Sequence, residues 1–501
     1  MTQGPRLSTG ALGVAAGLAP ATVLAQSGAE PTPVVVDFEA SAGLGFQPSG
    51  GWTFGPVRNE PAPQGAVFAR LSNTDPAATP AQASRAVPAA PYTGQPVRLR
   101  ASLRTSGAPV PLAGLWLRVD GSAPGAPLFF DNMADRPVAP GDWVQREIIA
   151  YVPANAERVV FGLVKTGAGT LDADQITLAV LPPAGDDAMS AEARAYLDDA
   201  LNALQTRHIN RASADWPHLR DIAARMAGTA RAPAEVHPAI RTVIGLLGER
   251  HTLFIGAARR EVTGDQTASR SAAAPQDLPT GEMTAPGIAR LTLPALMTEG
   301  ADDPAGPAYR DALAHTINAL QQQGACRWIV DLRGNGGGNM WPMLNGLEPL
   351  LGEGPFGAFG DADRVQSRWV RREGLIVAET VETPQPAPAS GRLAAAPVAV
   401  LFGPGTASSG EMTAIAFRGR TNSRSFGQAS AGNTTANAPH RLPDGARILI
   451  TTMGVHDGDG VFISGPLLPD EPTSDEQTLT RAVEWLQTEA CPAPAAPPPA
   501  A

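Results

Sequence analysis

Lysine is almost absent from this chain of 501 residues: of 38 basic side chains, only Lys165 is a lysine, and the rest are arginines. No block of basic charge forms and the formal net charge is −10. Both facts argue against nucleic acid and anionic membrane surfaces as partners. Cysteine is scarce as well, with Cys326 and Cys491 alone. No Cys/His spacing suits zinc, so neither a metal nor another cofactor is expected. The two cysteines could pair in an oxidising compartment, but sequence does not say whether their Cα atoms approach closely enough. The alternative, favoured here, is a buried Cys326 thiol ahead of a strand. Long apolar runs are missing too: beyond the N-terminus none reaches the ~18 residues of a membrane span.

What is present is an ordinary globular balance, 43% hydrophobic and 17% charged, in a chain long enough for two or three domains. Residues 1–26 read as a signal peptide, with Arg6 before the apolar "ALGVAAGLAPATVLA" and a small-residue cleavage site at "VLA". The mature chain is therefore expected to be periplasmic or secreted; a retained N-terminal anchor is the alternative.

Short runs of alternating apolar and polar residues fill 27–183, among them "VRLRASL", "LAGLWLRVDG" and "ERVVFGLV". They predict an antiparallel β-sandwich accessory domain. Ser190 then reads as an N-cap before a stripe of Leu197, Leu201 and Leu204, and "PAIRTVIGLLG" as a further helix, so 184–259 is a helical subdomain. From 260 to 490 strands alternate with helices after a polar linker (260–285). "GIARLTL", "RWIVDL" and "PVAVLF" supply the strands of an α/β core with a mixed sheet. An insertion is expected near 355–393, with the Pro/Ala-rich stretch near 382–397 outside the core sheet. Residues 491–501, "CPAPAAPPPAA", read as a disordered tail.

In such a sheet the turns after strands present groups to ligands. Two qualify. "DLRGNGGGNM" could let backbone N–H groups approach an anion, yet it lacks the third glycine of a dinucleotide fingerprint and the Gly-Lys-Ser/Thr of a P-loop. "GPGTASSGEM" brings Ser408 and Ser409 to a helix start, where a serine is either a nucleophile or an N-cap. An isolated serine hydroxyl is a weak nucleophile and needs a base. Of the seven histidines, His208, His218 and His237 read as surface residues beside helices, and His315 belongs to a helix. His440 and His456 lie in turn-rich segments, whereas His251 follows a helix end and precedes the apolar "LFI".

Three segments carry a resemblance over 186–488: "TASSGEMTAIAFRGRTNSRSFGQASAGNTTAN", "DLRGNGGGN" and "GERHTLF". Together they resemble the C-terminal processing (tail-specific) serine peptidase superfamily, and within it most the branch that includes the nisin-resistance proteases, with a Ser-His pair. The resemblance implies that Ser408 is the nucleophile. In the processing proteases a lysine 25 residues further on is the base; here that position is Asn433, and no lysine exists beyond Lys165. A Ser–Lys dyad is excluded by composition. The branch's "D-x-His-Ser/Thr" segment falls on His251, with Glu249 where Asp is usual, so His251 is the implied base and His456 the fallback. The implied oxyanion hole is the backbone N–H of Ser409 and of a glycine, Gly337. Asp470 and Glu411 are the candidate orienting acids. Only about 30 residues separate "HTLFI" from "GIARLTL", too few for the peptide-binding PDZ domain common in these proteases.

The expected function is thus an exported serine peptidase acting on peptides or proteins. The alternatives are a non-catalytic peptide- or glycan-binding protein on the same scaffold, or a small-molecule esterase or amidase. Trp116 and Trp143 in the N-terminal domain read as core aromatics or as a glycan-binding face.

Overall fold

The computed structural model describes residues 32–492 apart from 40–44, 49–51, 75–80, 108–109, 111, 123–126, 135, 183–188, 257–276, 299, 301 and 383–391. The expectations for 1–26, most of the 260–285 linker, 383–391 and 493–501 lie outside the described residues. The chain divides into two compact units. One runs to Ile148 and includes Val152–Val180; the other comprises Ile149–Tyr151 and everything from Leu181. No described helix is long and apolar enough to cross a membrane.

The first unit contains β1 (Val34–Val36), β2 (Gln47–Pro48), β3 (Thr53–Val57), β4 (Phe68–Asn73), β5 (Ala81–Pro88), β6 (Gln95–Ser106), β7 (Ala113–Gly121), β8 (Phe129–Asp131), β9 (Val144–Val152), β10 (Ala156–Lys165) and β11 (Gly169–Val180). They form two sheets, β3-β4-β11-β6-β9 with β1 beside β11, and β2-β5-β10-β7-β8. Period-two alternation puts Leu99, Ala101 and Leu103 of β6 and Val159, Phe161 and Leu163 of β10 inside. The buried faces share aromatic contacts: the Phe46 ring lies 5.6 Å from Phe54 and 6.2 Å from Phe161. Trp116 is 4% exposed on β7, whereas Trp143 stands edge-on to Phe68 of the other sheet under the Arg104 guanidinium. The two tryptophans therefore do not make one ligand face.

In the second unit Ser190 caps α1 (Ala191–Arg207), its Oγ accepting the Ala193 N–H. α2 (Trp216–Ala227) and α3 (His237–Leu246) follow. Leu197, Leu201 and Leu204 share one core with Ile240, Val243, Ile448 and Ile450, so the helical segment packs on a sheet of the core. That sheet was not legible in the sequence. It runs β12 (Leu253–Ile255), β22 (Arg447–His456), β16 (Gly357–Gly360), β17 (Val365–Arg372) and β18 (Leu375–Thr380), with β21 (Thr435–Arg441) and β23 (Phe462–Ile463) also on β22. The segment expected as an insertion near 355–393 thus supplies three of its strands, anchored by fully buried Trp369 and Phe356.

The other sheet is the expected mixed one: β13 (Thr280–Ala285) is antiparallel to β14 (Ile288–Thr292). β15 (Arg327–Asp331), β19 (Val398–Phe402), β20 (Ser423–Gly427) and β24 (Glu471–Pro472) then follow in parallel. Parallel strands buried on both faces read as continuous apolar runs. Trp328, Val330, Val398 and Val400 face α4 (Ala305–Gln322) and α5 (Met340–Leu347), while Ile329, Ala399 and Leu401 face α7 (Asp475–Thr488). α6 (Ser409–Ile415) follows β19. Cys326, ahead of β15, is joined by a disulfide to Cys491 beyond α7, with Cα atoms 5.3 Å apart. The favoured free-thiol reading of Cys326 is corrected accordingly.

Candidate active site

At the end of β19 the chain turns sharply and is pinned to the loop after β15. Thr406 Oγ1 donates to the Leu332 carbonyl (2.8 Å), and Ala407 N–H donates to the Asn335 carbonyl (3.0 Å). Ser408 caps α6 with φ 51° and ψ −118°. Positive φ in a residue other than glycine costs about 1–3 kcal/mol and persists only where surroundings enforce it.

One enforcing group is Glu411, fully buried. One carboxylate oxygen accepts the Ser408 N–H (2.8 Å); the other accepts the Gly432 N–H (2.8 Å) and the Ser430 hydroxyl. Burial pushes its pKa above the usual carboxylate range, and these hydrogen bonds oppose the rise. A second enforcing group is Gly337, at φ 110°. A Cβ there would lie 2.8 Å from Ser408 Cβ and 3.0 Å from the Ala407 carbonyl, so the glycine loop rests directly on the serine.

Asn335 organises that loop. Its amide donates to the Leu293 and Pro294 carbonyls and its Oδ1 accepts the Gly337 N–H at 3.0 Å. The Gly337 N–H is therefore occupied. The N–H groups of Gly338 and Ser409 have no acceptor among the described residues, and the Gly338 carbonyl accepts the Ser409 hydroxyl.

His251 is 7% exposed, in the loop between α3 and β12. Its Nδ1 lies 2.7 Å from Thr435 Oγ1, and its carbonyl accepts from Asn437 Nδ2 at 2.8 Å. Burial lowers the imidazole pKa, with the Glu249 carboxylate opposing. Glu249 accepts the backbone N–H of His251 and of Thr252. Burial alone would raise the Glu249 pKa, but the nearby His208 ring, the Thr252 side chain and these N–H groups bring it to about 2.

No hydrogen bond joins Ser408 Oγ to His251 among the described residues. Both are tied to one short segment instead: Ser408 through Glu411 to Gly432, and His251 to Thr435. Three residues reach about 10 Å at full extension, so both attachments fall on one short stretch of chain.

The orienting acids fall elsewhere. Asp470 accepts the backbone N–H and the hydroxyl of Ser425, stapling β20, and Glu411 holds backbone; Thr435 occupies His251 Nδ1. The fallback base His456 presents Nδ1 to the Gly460 carbonyl (3.1 Å) and Nε2 to the Asp361 carbonyl (2.9 Å), leaving no ring nitrogen for a substrate. His208, expected at the surface, is fully buried. Among the described residues no cluster of three or more His, Cys, Asp or Glu side chains could hold a metal.

Residues 288–473 match the model of peptidase family S41. The nisin-resistance protein of Lactococcus lactis subsp. lactis is 27% identical over 295 residues, covering 59% of this chain and 87% of the relative. A lipoprotein from Streptococcus agalactiae has a solved structure 24% identical, with TM-score 0.47, covering 60% of this chain and 97% of that one. The photosystem II D1 C-terminal processing protease is 16% identical, with TM-score 0.42, and 60% of this chain and 99% of that one are covered. The segment that carries the glycine and serine turns and most strands of the two core sheets thus matches peptidase family S41, and over 295 residues the chain is similar to the nisin-resistance protein.

Proposed function

We propose that the protein is an exported serine peptidase in which Ser408 and His251 cleave peptide bonds. The observation that carries this reading is the double attachment of the 430–435 segment, to Ser408 through Glu411 and to His251 through Thr435. Ser408 Oγ attacks the peptide carbonyl while His251 Nε2 takes its proton and returns it to the leaving amine. With Nδ1–H donated to the Thr435 hydroxyl, the lone pair lies on Nε2, which has no partner among the described residues. Lowering of the imidazole pKa by burial favours the neutral, accepting form near pH 7.

The oxyanion forms against backbone N–H groups. Ser409 keeps its expected role; Gly338, with a free N–H, takes the one expected of Gly337, whose N–H serves Asn335. Substrate enters as an extended peptide along a sheet edge. The N-terminal unit is a β-sandwich accessory module. The disulfide favours an oxidising compartment and hence export.

The test is comparison of peptide termini in source cells carrying wild type or Ser408→Ala. New termini that vanish in the variant are expected; identical terminal profiles would remove the peptidase reading.

A further inference from the structure

His251 sits in a loop, and loops do not by themselves hold a base to the tolerance proton transfer requires. Glu249 supplies the clamp. Its carboxylate accepts the backbone N–H of His251 and, at 2.8 Å, that of Thr252. Thr252 Oγ1 in turn accepts the Thr451 N–H of β22 at 3.0 Å. The main chain on the C-terminal side of the base is thereby fixed to the sheet.

Behind Glu249 lies His208, the C-cap of α1, with no exposed surface. Its Nδ1 accepts the Asn210 N–H at 3.0 Å, so the ring proton is on Nε2. That Nε2 has no hydrogen-bond partner among the described residues and faces Glu249 Oε2 at 3.7 Å. This is an electrostatic contact just beyond hydrogen-bond length. The ring cannot turn away without giving up the Asn210 bond. Asn210 and Ile209 are themselves bonded to the Leu247 and Thr451 carbonyls, at 2.9 and 2.8 Å. The end of α1, the loop after α3 and β22 therefore converge on one carboxylate.

We infer that Glu249, backed by His208, is the positioning group for His251, and that the helical subdomain serves to deliver it. The inference rests on the Ser408–His251 reading above. Glu249 acts through the backbone of the base; its carboxylate also raises the proton affinity of His251 against the effect of burial.

The test uses the full chain and a fluorophosphonate probe, separating the maximal inactivation rate from the half-saturating concentration. Glu249→Gln replaces one accepting oxygen by an amide that points N–H at N–H. The inactivation rate is expected to fall about 10- to 100-fold, as for a base displaced by an ångström, with half-saturation unchanged. The midpoint of its acid limb should move down, since the carboxylate that raised the His251 pKa is gone. Glu249→Asp, whose side chain readily accepts the N–H two residues on, should recover most of the rate. His208→Phe should slow inactivation, and His208→Gln, which keeps an N–H donor, should restore part of it.

Equal rates and midpoints for wild type, Glu249→Gln and Glu249→Asp would overturn the inference. So would a loss in Glu249→Gln that follows its unfolding temperature, is not recovered in Glu249→Asp and leaves the acid limb in place. His251→Ala is run alongside: a wild-type rate in that variant would remove the Ser–His reading itself. A loss there with unaffected Glu249 and His208 variants removes this inference alone.

Discussion

His251 Nδ1 and Thr435 Oγ1 lie 2.7 Å apart, so in the proposed Ser408–His251 mechanism a hydroxyl takes the position that a carboxylate holds in a Ser-His-Asp triad. A neutral acceptor orients an imidazole but stabilises its cation less than a carboxylate does. Thr435→Val keeps the shape and removes the acceptor; we expect turnover to drop roughly tenfold with little change in KM, as for loss of one neutral hydrogen bond in the transition state. Thr435→Ser should retain most activity. Equal turnover in the valine variant would show that Thr435 only packs.

The pH dependence follows from the same imidazole. Burial lowers its pKa from the ordinary 6.5, and only the neutral ring accepts a proton. The acid limb of kcat/KM should therefore have its midpoint below pH 6.5. Stability has the same sign: the unfolded chain protonates this histidine first, so its contribution is complete above pH 6.5 and is lost as pH falls through the folded value. An acid limb centred above 6.5 would assign the base elsewhere.

Glu411 predicts a coupled loss of stability and activity. Glu411→Ala leaves the N–H groups of Ser408 and Gly432 without their acceptor, at about 1–3 kcal/mol each. Denaturant unfolding should show a destabilisation of about 3 kcal/mol, and probe labelling of Ser408 should disappear with it. An unchanged unfolding midpoint would contradict the clamp.

Gly337→Ala separates the two properties. The new methyl would meet Ser408 Cβ at 2.8 Å, so the serine must move. Activity should fall about 100-fold, while the unfolding free energy drops by only about 1–3 kcal/mol, the cost of a side chain at positive φ. Wild-type turnover would place the reacting serine away from this glycine.

The strands and helices around the mixed sheet were legible because their apolar runs are long and their turns carry glycine. Ser408 and the "GNGGG" turn were legible because the helix start and strand end fix them locally. Thr435 and Glu249 acquire their roles from partners 184 and two residues away, and only the near one leaves a trace in sequence. His208 read as surface because an arginine precedes it at the helix end; its burial comes from the Glu249 loop and β22, which periodicity does not register. The sheet of β16–β18 was hidden because "VQSRWVRR" and "LIVAET" bury few apolar side chains and a Pro/Ala-rich stretch follows them.

The most direct measurement is the rate at which a fluorophosphonate modifies the intact protein, followed by mass. Wild type should gain one adduct, located on Ser408. Ser408→Ala should gain none, and His251→Ala should react at least about 100-fold more slowly, as expected for loss of a general base. Modification of His251→Ala at the wild-type rate, or an adduct on another residue, would contradict the account.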